Sequence, residues 1–140
     1  MRLNRPIALA LSVVALCLTS CQTITSHQFA SPAPEWQVKT GQLAFTGPKV
    51  ALIGEVLVRY SKAGDLELTF SKGPGVNLLT LRQDASFASA TGPLARGSWA
   101  GPTASAPVRL RGWFSLREKI LAGRNSIQTE AGGSRFNLRF

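Results

Sequence analysis

The sequence predicts a mainly β domain: a curved antiparallel sheet or incomplete barrel with one late amphipathic helix as its lid, an α+β arrangement. Three observations predict it. From Trp36 onward, apolar and polar residues alternate with a period of two, the mark of half-buried strands. Only one stretch, Val108 to Ala122, carries a convincing helical period. The strands come first and are joined by short turns rich in Gly and Pro, so sequence neighbours pair as a meander. A single-layer meander cannot bury its apolar face unaided. It must curl, and the helix is the element available to cover the open side.

Trp36, Val38 and Thr40 alternate with Gln37 and Lys39; at Gly41 the register shifts, Leu43 and Phe45 continue the apolar face, and the glycine marks an expected bulge. Gly47-Pro48 turns the chain into Val50 to Tyr60, whose two faces are both rather apolar, as in a well-covered central strand. Ser61 to Gly64 is a hairpin loop. Leu66, Leu68 and Phe70 then alternate with Asp65, Glu67, Thr69 and Ser71, the cleanest strand of all. Gly73-Pro74-Gly75 turns into Val76 to Leu81, and after Gln83-Asp84 comes Ala85 to Ala90. Thr91 to Pro107, rich in Gly, Pro, Ala and Ser, reads as an irregular connection carrying Trp99. In the helix, Leu110, Trp113, Phe114, Ile120 and Leu121 fall near one face, and Gly123 suits its C-terminal cap. The chain closes with a strand, Arg135 to Phe140, which alternates Phe136, Leu138 and Phe140 with basic and polar residues.

The N-terminus has its own logic. Arg2 and Arg5, with no acid near them, precede the apolar run Ile7 to Leu18, too short to span a bilayer comfortably. The run ends in Leu18-Thr19-Ser20-Cys21, which resembles the lipobox of bacterial lipoproteins. Small residues let a signal peptidase reach the backbone, and the cysteine sulfur forms a thioether with diacylglycerol. The resemblance implies removal of residues 1–20 by cleavage between Ser20 and Cys21, with Cys21 as the site of lipid attachment. Residues 21–35 then form a polar tether closed by Pro32 and Pro34, and residues 36–140 form the domain. Gln22 follows the cysteine where an Asp favours inner-membrane retention in enterobacteria, so family analogy implies the outer membrane, with the domain facing the periplasm. Cleavage also removes Cys17, so no disulfide is expected within the mature chain.

The formal charge is +9, falling to +7 once Arg2 and Arg5 are gone. Such an excess suits nucleic acid, anionic lipid or an acidic partner. Export argues against nucleic acid, and the basic residues are scattered as on a solvated surface. Little catalytic chemistry is on offer. His27, the single histidine, falls in the tether, where it cannot complete a Ser-His-Asp triad, and a His/Cys zinc site lacks ligands. Asp65 and Glu67 share a face, the spacing of a carboxylate pair, but that face is the solvated one opposite Leu66 and Leu68. Gly73-Pro74-Gly75 lacks the following Lys-Ser/Thr of a phosphate loop. The sequence predicts neither an enzyme nor a cofactor.

Three stretches carry a family resemblance: Trp36-Gln-Val-Lys-Thr-Gly41-Gln-Leu-Ala-Phe45; Leu66-Glu-Leu-Thr-Phe70 with Gly73-Pro74-Gly75 and Leu78-Leu79; and Arg111-Gly112-Trp113. With the lipobox and the element order, they resemble the LolA/LolB carriers of outer-membrane lipoproteins, and LolB in particular. That resemblance implies an unclosed barrel with a helical lid over an apolar cavity that receives acyl chains. Trp36, Phe45, Leu66, Leu68, Phe70, Trp99, Leu110, Trp113 and Phe114 are the candidate lining; side chains of these types equally well fill a small core. The basic helix has two readings, a lid or an element lying on anionic lipid, and the need to cover the sheet favours the lid. Two functions are expected, then: binding or transfer of lipoprotein acyl chains or lipid, or a scaffolding role in which the terminal strand Arg135 to Phe140 offers an edge to another envelope protein.

Overall fold

Alternation becomes sheet from Gln37 onward. The structure is a computed structural model that describes residues 27–140; the cleavage site at Ser20 and Cys21, and the lipid expected on Cys21, lie outside the described residues. Eight strands form one antiparallel sheet: β1 Gln37–Thr46, β2 Ala51–Tyr60, β3 Leu66–Ser71, β4 Asn77–Gln83, β5 Phe87–Gly92, β6 Gly97–Pro102, β7 Ser126–Ala131 and β8 Ser134–Arg139. The first six run as a meander. The single α-helix among the described residues, α1 Val108–Leu121, then carries the chain across to the far edge. There β7 and β8 add on, with β8 beside β1, in the order β6-β5-β4-β3-β2-β1-β8-β7. The curved sheet stays unclosed, with β6 and β7 as its two margins and α1 laid over its concave face.

The concave face is the core. It takes Leu43 and Phe45 of β1, Val56, Val58 and Tyr60 of β2, and Leu66, Leu68 and Phe70 of β3. Leu79 and Leu81 of β4, Ile127 of β7, and Phe136 and Leu138 of β8 complete it. Against these the helix buries Leu110, Gly112, Trp113, Phe114, Leu116 and Ile120. Each large apolar side chain so buried is worth roughly 1.5–3 kcal/mol against exposure, and these contacts hold sheet and helix together.

Several sequence expectations need correction. The pairing of β1 with β2 is unbroken from Gln37 to Thr46, so Gly41 marks no bulge. The inward face of β1 is therefore Gln37, Lys39, Gly41, Leu43 and Phe45, and Val38 points outward, 60 % exposed. Gly41 is small for another reason: a Cβ there would lie 2.1 Å from the Arg139 carbonyl oxygen. The register irregularity falls instead between Phe70 and Ser71, opposite β4. The strand β2 is internal, but its outer face is bare, with Ile53 71 % exposed, because the only helix among the described residues covers one side of the sheet. Within Thr91 to Pro107, which composition marks as irregular, Gly97–Pro102 pairs with β5 from Phe87 to Gly92. An edge strand with one face in water needs no apolar alternation, so nothing in its composition announces it. The hairpin partner β7 is a further addition. As a result the terminal strand is flanked by β1 and β7 and offers no free edge.

Candidate functional site

The two ends of the half-barrel differ. At one end lie the start of β1, the β2–β3 and β4–β5 turns and the C-terminal part of α1, where Arg117 Nε donates to the Gly64 carbonyl at 3.0 Å. Here the described chain begins. His27 stacks on Phe87 with ring centroids 4.0 Å apart and planes 11° apart, and its Nε2 donates to Asp84 Oδ2. Asp84 also accepts from the amides of Ser86 and Phe87. Burial raises the Asp84 pKa, but those two amides and the His27 ring outweigh it, so the carboxyl titrates below the usual aspartate value. The expected tether is thus pinned at His27 to the β4–β5 turn. His27 meets a carboxylate after all, yet the contacts recorded for it among the described residues are Asp84 and the rings of Phe29 and Phe87, with no hydroxyl or thiol nucleophile.

The opposite end carries a cleft of about 420 Å³. Four pieces of chain frame it: the β1–β2 hairpin (Gly47, Pro48, Lys49, Val50), the short 3₁₀ turn Pro93–Ala95 with Arg96 after it, the start of α1 (Val108, Arg109), and the β7–β8 turn (Gly132, Ser134). Phe45 and Trp113 lie at its inner side. These two rings sit 4.8 Å apart, and Trp113 also meets Phe136 edge-on at 5.0 Å and Phe70 at 5.5 Å. The lining is mostly apolar, with exposed Val50 and Val108 at the rim.

The frame is tightly drawn. Gly132 and Gly133 both have positive φ, 60° and 79°, and sit between the paired residues Ala131 and Ser134, the conformation of a two-residue type I′ hairpin turn. A Cβ on Gly132 would come 2.4 Å from the Val108 carbonyl oxygen, and one on Gly112 would come 2.5 Å from the Phe136 ring and 2.7 Å from the Ala131 carbonyl oxygen. Close approach of this hairpin to α1 thus shapes one wall. On another wall, Arg109 Nη2 donates to the Ala95 carbonyl at 3.2 Å. Arg96 adopts the left-handed region, φ 55°, the one non-glycine among the described residues to do so.

Of the residues expected to line a cavity, only Phe45 and Trp113 border this cleft. Leu66, Leu68, Phe70, Leu110 and Phe114 are buried in the packed core between sheet and helix. Trp99 of β6 lies partly buried on Phe114, with ring centroids 5.7 Å apart. Trp36 lies outside this core: it precedes β1 in a bend, half-buried, because the inward positions of β1 begin at Gln37. Asp65 and Glu67 also part company. Asp65 accepts from Ser61 in the β2–β3 turn, and Glu67 pairs with Arg82 across the strands at 3.2 Å. The cleft residues that sequence reasoning missed are Lys49, Arg96, Val108, Arg109 and the glycine hairpin. Ala131-Gly132-Gly133-Ser134 carries a recognisable type I′ signal. The others come together only through the fold.

Compared with known proteins, the chain matches no family model, no curated protein and no solved structure.

Proposed function

We propose that this chain is an outer-membrane-anchored lipoprotein, lipidated at Cys21, that holds one apolar chain in the cleft at the mouth of its half-barrel. It binds or transfers an acyl chain in the manner of LolB, without enzymatic chemistry. One observation carries this reading: an apolar cleft of about 420 Å³ at the mouth, floored by Phe45 and Trp113 and framed by elements from four parts of the chain. That volume is near the small end of ligand pockets, roughly 300–1,000 Å³. Because Leu66, Leu68, Phe70 and Phe114 are packed against one another in the core, capacity is limited to the mouth. One chain fits the space better than the pair of a diacylglyceryl group. Capture is favoured by the same physics that keeps such chains out of water, about 0.8 kcal/mol for each methylene sheltered.

Titrating residues 27–140 with a fluorescent fatty acid tests this. Saturable binding is expected, and Val108→Trp or Val50→Trp, which fill the cleft from exposed rim positions, should abolish it without lowering stability. Absence of saturable binding, or binding indifferent to both plugs, overturns the reading. The scaffolding alternative loses the edge that motivated it, since β8 is internal; a docking partner would have to add to β6 or β7.

A further inference from the structure

The rim of the mouth cleft carries charge of one sign. Lys49 comes from the β1–β2 hairpin, Arg96 from the segment before β6, and Arg109 from the first turn of α1, so three separate elements bring a cation to one cleft. No carboxylate lines it. The ion pairs among the described residues are His27–Asp84, Arg82–Glu67 and Arg135–Glu130, so none of the three rim cations is neutralised. The helix adds to the imbalance. Its first turn holds no acidic residue, and its N-terminal end carries the positive pole of the peptide dipoles, where basic side chains are disfavoured for helix stability. Arg96 likewise occupies a backbone conformation that glycine would take more easily. Two cations therefore stand where local structure prefers another residue, on the rim of an otherwise apolar space.

Resting on the cleft reading above, we propose that the cleft takes single-chain amphiphiles with an anionic head, the chain lying against Phe45 and Trp113 and the head held by Lys49, Arg96 and Arg109. Volume selects one chain, and unpaired charge selects the head. A neutral amphiphile of equal length gains the apolar contact alone and binds more weakly. Charge at an exposed rim acts through a screened field, so the preference falls with salt.

The test uses the full chain in membrane vesicles from cells that produce it. Palmitic acid and monopalmitoylglycerol analogues, each with a photoreactive diazirine on the chain, are crosslinked and the labelled peptides mapped. We expect labelling around Trp113 to be about tenfold stronger for the acid at low salt, and the preference to fall to about twofold in a Lys49→Gln/Arg96→Gln variant, which keeps Arg109. Both residues are exposed and outside the core, so the variant should fold; circular dichroism of its residues 27–140 checks this. Competition by unlabelled palmitate against unlabelled lysophosphatidylglycerol identifies whether the head is a carboxylate or a phosphodiester. Equal labelling by acid and glyceride, unchanged in the variant, overturns the charge inference and leaves the cleft reading standing. No cleft labelling by either overturns both. Label spread over the exposed basic surface, without concentration at Trp113, would mark attraction to the anionic bilayer and also overturn the inference.

Discussion

At the scale of single residues, Trp113 is the hinge between core and cleft. It is 1 % exposed and touches the rings of Phe45, Phe70 and Phe136. Trp113→Ala should cost about 3–5 kcal/mol, read as a lower denaturation midpoint with little change in slope. A loss under 1 kcal/mol would mean the ring is not the keystone its contacts imply. Arg96 points the other way. Arg96→Gly should raise stability by about 1 kcal/mol by relieving the left-handed backbone, while weakening the preference for an anionic head. Calorimetry that finds Arg96→Gly neutral or destabilising would refute this. The sequence made the apolar character of Phe45, Phe70 and Trp113 plain. It could not distinguish cavity wall from core, because period-two alternation reports which face a residue is on and not how deep it lies.

At the scale of elements, the strands with alternation were legible and those without it were not. Leu66–Ser71 and the helix from Val108 were readable because burial on one face imposes a period on the sequence. The strand β6 has a single large apolar residue, Trp99, and in β7 only Ile127 is fully buried. Edge strands need little more, so their composition stays loop-like. Gly41 was legible as special but for the wrong cause, since a close backbone neighbour from β8 is invisible to local pattern. Gly112→Ala tests the corresponding contact between α1 and the last hairpin. The added methyl meets the Phe136 ring and a carbonyl oxygen, so it should cost about 1–3 kcal/mol and speed amide exchange in β7 and β8 more than in β3. Uniform protection across the sheet would contradict it. In the β4–β5 turn, Asp84 is stabilised as a carboxylate, with a folded pKa below its unfolded value. Its contribution is fully present above the unfolded pKa and lost as pH falls through the folded one. Asp84→Asn should therefore flatten the loss of stability between about pH 5 and 3, measured by urea titration at each pH. An unchanged slope would show that the turn does not depend on that charge.

At the scale of the whole molecule, the sheet leaves β6 and β7 unjoined and uses α1 as the strap between them. This much followed from the sequence: a meander, and a late helix to cover its open side. Placement of the cleft did not follow, because it depends on three turns distant in sequence meeting at one rim. The His27 clamp has a consequence for how the molecule would stand on a bilayer with the proposed lipid on Cys21. Five residues lie between Cys21 and His27, six steps along the chain, a reach of at most about 21 Å. The mouth lies at the other end of β1, about 33 Å of strand away. On the anchored reading proposed above, a protein moored so shortly by its base turns its opening toward the aqueous space, away from the leaflet below, and is loaded by whatever arrives through water.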